Sequence, residues 1–155
     1  TQVHNKRYFL EFIEREMGRC HRYNRALSLM MLDIAHFNQI NDTNGHLAGD
    51  YVLREMAAVI RPRVRKEECF ARYGGEEFAY VMPESGGENT RKLAEKIRRL
   101  VEDHRFTFEG KEIKVTLSIG VADLIGDMTE PLQFIKVADA NLYKAKKSGR
   151  NRVVG

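Results

Sequence analysis

The sequence predicts an α+β domain, an antiparallel sheet with helices packed on it, from three observations. The nine-residue run Ala26–Ile34 is too short and too apolar for a surface helix and reads as a buried central strand. Four other segments repeat apolar residues at helical spacing. Two further stretches have strand-like composition on both sides of a glycine turn, at Gly74–Gly75 and at Glu109–Gly110. A chain of 155 residues with 43% apolar residues supports one core, so residues 1–155 are expected to form a single domain.

Taken in order, the first helix carries Phe9, Phe12, Ile13 and Met17 on one stripe. The strand that follows ends in the carboxylate of Asp33. The segment FNQINDTNGHLAGD, residues 37–50, is rich in turn formers, with Asn44-Gly45 its strongest break. A second helix is expected from near Asp50, with Val52, Met56, Val59 and Ile60 on one face and Pro62 ending or kinking it. After the Gly74–Gly75 hairpin, ENTRKLAEKIRRLVEDH is a clear amphipathic helix. FTFEGKEIKVTLSIGVAD alternates and reads as a hairpin turning at Glu109–Gly110. Pro131 sits in the first turn of a last helix, and Gly149 stops it.

Composition narrows the function classes. No apolar run approaches the roughly 20 residues that span a bilayer, so no membrane contact is expected of this domain. Cys20 and Cys69 form neither a CxxC pair nor a disulfide framework and read as reduced thiols of a cytoplasmic protein. A net charge of +4 permits an anionic ligand. Lys144, Lys146, Lys147, Arg150 and Arg152 lie together near the C-terminus without interleaved aromatics, which speaks against a nucleic-acid platform.

The chemistry-bearing residues are carboxylates. Asp33 ends a strand, and Glu76 and Glu77 follow the glycine pair. Taken alone, Asp33 reads equally as a solvated cap, and the GGEE tip reads first as a solvated turn. If the two strands are neighbours, the acids converge into an oxygen-ligand set suited to Mg²⁺ and to phosphoryl transfer, with Gly74 and Gly75 leaving room for a nucleotide.

The segment RYGGEEF, Arg72–Phe78, resembles the signature of GGDEF domains, the diguanylate cyclases. LDIAHFNQINDTNGHLAGDYVL, VTLSIGVA, ADANLYKAKKSGRN and NKRYF are similar to further segments of that family, in order along essentially the whole chain. The resemblance implies a ferredoxin-like central antiparallel sheet flanked by helices, as in nucleotidyl cyclases and the polymerase palm. It implies condensation of two GTP into cyclic di-GMP and two pyrophosphates across a two-fold homodimer. It implies Mg²⁺ or Mn²⁺, two per active site, held by Asp33, the Ile34 carbonyl, Glu76 and Glu77. Glu76 and Glu77 carry the catalytic role, with Glu76 as the family's general base.

By the same carry-over, Asn41 and Asp50 recognise guanine beside His46. The amides of His36 and Phe37, with Lys146 and Arg150, meet the triphosphate. A carboxylate accepting guanine's paired donors would discriminate against adenine by a factor on the order of 10⁴.

Two positions depart from the family's D-x-D-x-F-K pattern: Ala35 stands for the second aspartate and Asn38 for the lysine. They keep open a second reading, a catalytically silent nucleotide-binding module. The family's R-x-x-D inhibitory motif survives here only as Arg65 and Glu68, a degenerate site. Because the chain opens on Thr1, it is expected to be part of a larger signalling protein whose sensor or receiver domain lies ahead of it.

Overall fold

The computed structural model describes residues 3–155; Thr1 and Gln2, the first residues of the expected domain, lie outside the described residues. The elements run β1 (Val3–His4), α1 (Lys6–Tyr23), β2 (Leu27–Ile34), α2 (Phe37–Asn44), α3 (His46–Ile60), β3 (Cys69–Gly74) and β4 (Glu77–Pro83). They continue with α4 (Glu88–Asp103), β5 (Phe106–Phe108), β6 (Lys111–Ile113), β7 (Leu117–Asp123), α5 (Pro131–Lys147) and β8 (Val153–Val154).

The main sheet has the order β1-β3-β4-β2-β7-β8. Its inner four strands, β3-β4-β2-β7, are antiparallel throughout, which is the ferredoxin-like arrangement. The two-residue strands β1 and β8 add parallel edges. β2 sits at the centre, and all eight of its residues are buried. Its alternate side chains serve two separate cores, as the pleat requires. Met30, Leu32 and Ile34 join Val52, Met56, Ile60 and Ile97 of α3 and α4. Leu27, Leu29 and Met31 join Phe9, Ile13, Phe134 and Leu142 of α1 and α5.

The α5-facing side of β7 is made of small residues, Ser118, Gly120 and Ala122. Gly120 is required there by close approach. A Cβ on it would stand 2.2 Å from both the Ala138 carbonyl oxygen and the Leu142 amide nitrogen. α5 therefore lies directly on the strand, and its last turn is held at the end of β2.

The structure departs from the sequence-based expectation in three places. Residues 37–44, expected as turn, form helix α2, and α3 begins at His46 rather than near Asp50. Asn, Asp and Thr are poor helix formers, but burial of Ile40 and the packing of Phe37 on the core override that preference. The alternating stretch after α4 divides. Only β5 and β6 make the hairpin at Glu109–Gly110, as a separate two-stranded sheet, while β7 pairs with β2 in the main sheet. The Gly74–Gly75 turn does not use the left-handed conformations that usually demand glycine in a tight hairpin, since neither residue has a positive φ. Among the described residues, no helix is long and apolar enough to cross a membrane.

Candidate active site

Asp33 occupies the penultimate position of β2. Its register partners are Glu77 on β4 and Ser118 on β7, so the three side chains form one row across the α1/α5 face. Asp33 is only 7% exposed, and its one hydrogen-bonding partner is Lys146, whose Nζ donates to Oδ2 at 2.9 Å. Burial raises the Asp33 carboxyl above the usual carboxylate range, with Lys146 opposing it. Burial, then the charges of Asp139 and Asp33, push Glu77 up to about 7. Burial also raises Asp139 of α5. The end of the sheet therefore gathers half-buried acids against few cations.

A pocket of ≈ 270 Å³ opens beside Asp33 and Ser118 of this row, lined by Asp33, Ile34, His36, Phe37, Glu76, Ser118, Lys146 and Arg150, while Glu77, Gly74 and Gly75 are not in its wall. Ala35 and Asn38, the two departures from the family pattern, are also in its wall. Backbone bonds fix the shape of the rim. The Ile34 amide donates to the Glu76 carbonyl at 3.3 Å, and the Ala35 amide to the Thr116 carbonyl at 3.0 Å. His36 turns the chain in the left-handed conformation, φ 53, and α2 starts beside the pocket. The first amides of a helix have no intrahelical partner, so they suit an anion there. After α5 the chain reverses, with the Arg150 amide donating to the Ala145 carbonyl at 2.9 Å, and this brings Arg150 to the pocket.

The hairpin tip is held from within. Arg72 donates through Nε and Nη2 to the Gly75 carbonyl at 3.0 and 2.8 Å. A Cβ on Gly74 or Gly75 would meet nothing within 4 Å. Neither backbone angle nor packing explains these glycines.

Asn41, His46 and Asp50 are not in the wall of this pocket. Asn41 lies one turn beyond Phe37 on α2, and its Oδ1 is buried without a hydrogen-bond partner. It rests where Gly49 has no side chain: a Cβ on Gly49 would be 1.8 Å from that oxygen. His46 and Asp50, one turn apart on α3, are both exposed. The structure thus places the expected guanine residues on the α2–α3 pair and the expected phosphate residues at the sheet end, with Phe37 touching both.

Arg65 and Glu68 lie far from the row. Glu68 is engaged by the fold: Oε1 accepts from the Arg65 amide at 2.8 Å and from the Tyr80 hydroxyl at 2.6 Å. Its carboxylate is therefore committed to the fold. Arg65 lines a separate pocket with Arg63 and Lys96.

The sequence reading missed Ser118, Asp139 and Arg72. A signal existed for the first, since Ser118 is a polar residue at a core-facing position of an alternating strand.

No group of three or more Asp, Glu, His or Cys side chains among the described residues is already drawn together tightly enough to hold a metal ion. The donor set nonetheless fits a hard divalent cation. The expected donors are carboxylate oxygens and one carbonyl, and Asp33 already has a cationic ammonium on it.

Residues 1–152 match the family model described as diguanylate cyclase, GGDEF domain. The chain is 43% identical over 128 residues to diguanylate cyclase A of Treponema denticola, covering 83% of this chain and 34% of that protein. It is 41% identical over 157 residues to the response regulator PleD of Caulobacter vibrioides, covering 100% of this chain and 35% of that protein. The chain thus spans about a third of the length of these curated relatives. Among solved structures it is similar to the GGDEF domain of DgcB from Caulobacter crescentus in complex with c-di-GMP. The TM-score is 0.95 at 32% identity, covering 99% of this chain and 89% of that one. It is also similar to the active GGEEF domain of a diguanylate cyclase from Vibrio cholerae, with a TM-score of 0.91 at 32% identity, covering 99% and 97%.

Proposed function

The chain belongs to the GGDEF family of diguanylate cyclases, and from that premise we propose that it is the catalytic domain that condenses two GTP into cyclic di-GMP and two pyrophosphates. The observation that carries the reading is the row Glu77–Asp33–Ser118, whose Asp33 and Ser118 line a pocket together with Glu76, Lys146 and Arg150. Hard anionic oxygens and paired cations in one small cavity suit a metal-bound polyphosphate better than any neutral ligand.

In this reading the Lys146 and Arg150 side chains and the His36 and Phe37 amides bind the triphosphate. Asn41 and Asp50 accept and donate along the guanine edge, with His46 beside them. Asp33, the Ile34 carbonyl, Glu76 and Glu77 would hold Mg²⁺ or Mn²⁺, two per site, which would supply neutralisation of phosphate charge and polarisation of the α-phosphorus. Glu76 takes the proton of the attacking 3′-hydroxyl. The 3′-oxygen of one nucleotide forms a bond to the α-phosphorus of the other, the bond to the bridging oxygen breaks, and pyrophosphate leaves. Repetition in the opposite sense closes the ring. One domain presents one nucleotide, so two copies must face each other across a two-fold axis, and holding the reactants together supplies much of the rate.

Two corollaries follow for regulation. With Glu68 bonded to Tyr80, Arg65 is left without its acidic companion as a product contact, and product inhibition through this motif is weak. The relatives' greater length supports a sensor or receiver domain in the same polypeptide, and GTP as substrate places the domain in the cytoplasm.

The test is incubation with GTP and Mg²⁺ or Mn²⁺ over a range of protein concentrations, with chromatographic separation of products. Cyclic di-GMP should form at a rate per protein that rises with concentration, and added ATP should not enter the product. Absence of any cyclic dinucleotide at every concentration would overturn the reading in favour of a silent nucleotide-binding module, with Ala35 and Asn38 as its cause.

A further inference from the structure

Among the described residues, two buried side-chain polar atoms have no hydrogen-bond partner, and both belong to the proposed site: Asn41 Oδ1 and Ser118 Oγ. Such atoms are rare because each costs free energy while it stays unpaired. Ser118 is 1% exposed, yet it lines the sheet-end pocket and stands opposite Asp33 in register. Side chains so paired have Cβ atoms about 5 Å apart, within reach of a serine hydroxyl and an aspartate carboxylate once either rotates. In the ligand-free protein Asp33 is held by Lys146 instead.

Resting on the GTP reading above, we infer that Ser118 is a positioning residue for Asp33. When Lys146 turns from Asp33 to the nucleotide phosphates, the Ser118 hydroxyl donates to the freed carboxylate oxygen and holds it in place. Among the described residues its proton has no hydrogen-bond acceptor. A buried carboxylate that loses one donor requires another, and across this row the only hydroxyl is that of Ser118. The hydroxyl is thus unpaired in one state because it is needed in the other.

Two experiments test this without depending on each other. The first uses no ligand and follows thermal unfolding of Ser118→Ala in two backgrounds. In the otherwise unchanged protein, replacing an unpaired hydroxyl by a methyl should leave the melting temperature equal or raise it. In a Lys146→Met background, where Asp33 has lost its ammonium, the same substitution should lower it by about 3–12 °C, the shift of a hydrogen bond to a charged group in a domain of this size. Equal effects in both backgrounds would overturn the inference, whichever their sign. The second experiment measures Mg²⁺–GTP binding and turnover. Ser118→Ala and Ser118→Cys, the latter a weak donor of similar size, should each raise the Mg²⁺ requirement and lower kcat about 10- to 100-fold, with the KM for GTP little changed. Unchanged kcat and Mg²⁺ dependence in both variants, with the parent protein active, would refute the role of Ser118. Failure of the parent protein itself to bind Mg²⁺–GTP would instead count against the GTP reading.

Discussion

On the outer face of α4, Glu95 accepts from Arg98 at 2.7 and 2.8 Å and from Arg99 at 2.9 Å. The hydrogen bonds from Arg98, above all, hold its carboxyl down at about 2. At the end of the sheet Glu77 is pushed the other way, to about 7, by burial and by its acidic neighbours. The two glutamates differ in who supplies their partners. On α4 the next helical turn brings Arg98 and Arg99 to Glu95, so the group is satisfied by local sequence alone. In the sheet row the neighbours are another acid and a hydroxyl, and the fold leaves a deficit of donors that a ligand can fill. Carboxylates that a domain keeps under-partnered mark where it meets something else.

The sharpest way to break this contrast is to make the same substitution in each place. Glu77→Gln should reduce cyclic di-GMP formation by about 10²- to 10³-fold, the loss typical of one preorganised electrostatic contact, while the melting temperature holds or rises. Glu95→Gln should do the reverse, leaving turnover unchanged and lowering stability by less than about 1 kcal/mol, because its ion pairs are solvent-screened. Turnover and thermal unfolding measured on both proteins decide the point.

Next in size is Gly120→Ala. Its Cβ has no room against the α5 backbone, so α5 must lift from β7 at a cost of about 3 kcal/mol. The melting temperature should fall by about 6–12 °C. Because Lys146 and Asp139 ride on α5, the site acids should lose activity with it, whereas the α4 pairs should persist. Gly49→Ala is milder: the new methyl displaces Asn41, and the KM for GTP should rise about tenfold, equivalent to 1.4 kcal/mol. In an Asn41→Ala background the same change should add little, which steady-state kinetics will show.

The smallest effect is in pH. Between the ordinary value 4.5 and about 7, metal-free folded protein holds a proton on Glu77 that the unfolded chain has released, so stability falls as pH rises through that window. Between about 2 and 4.5 the unfolded chain holds a proton that folded Glu95 has released. There stability rises with pH, is complete above 4.5 and is lost as pH falls through about 2. Denaturant midpoints in EDTA should show both slopes, with Glu77→Gln flattening the upper and Glu95→Gln the lower. The lower slope should also shrink in salt.

Much of this was legible in the sequence. Helical spacing located α1, α4 and α5, and the apolar run located β2, because each of those elements is defined by one dominant buried face. The strand-end acid and the GGEE tip were visible as carboxylates without a packing role. What escaped depended on partners distant in sequence. α2 is held by the burial of Ile40 and Phe37 against local preference. β1 and β8 are two residues each and exist only by pairing with β3 and β7. The row Glu77–Asp33–Ser118 is a property of register, and the use of Glu68 by Tyr80 depends on a side chain that reaches across the fold.

The Lys146–Asp33 ion pair makes the ligand-free domain its own placeholder. A metal ion that takes Asp33 evicts an ammonium, which then needs an anion; a triphosphate that draws Lys146 away exposes a carboxylate, which then needs a cation. Each arrival prepares the place of the other, and by linkage the help is mutual and equal in free energy. Under the proposed function the pocket would therefore act as an AND gate: metal alone and nucleotide alone would each contend with the lysine, and only the pair would relieve it.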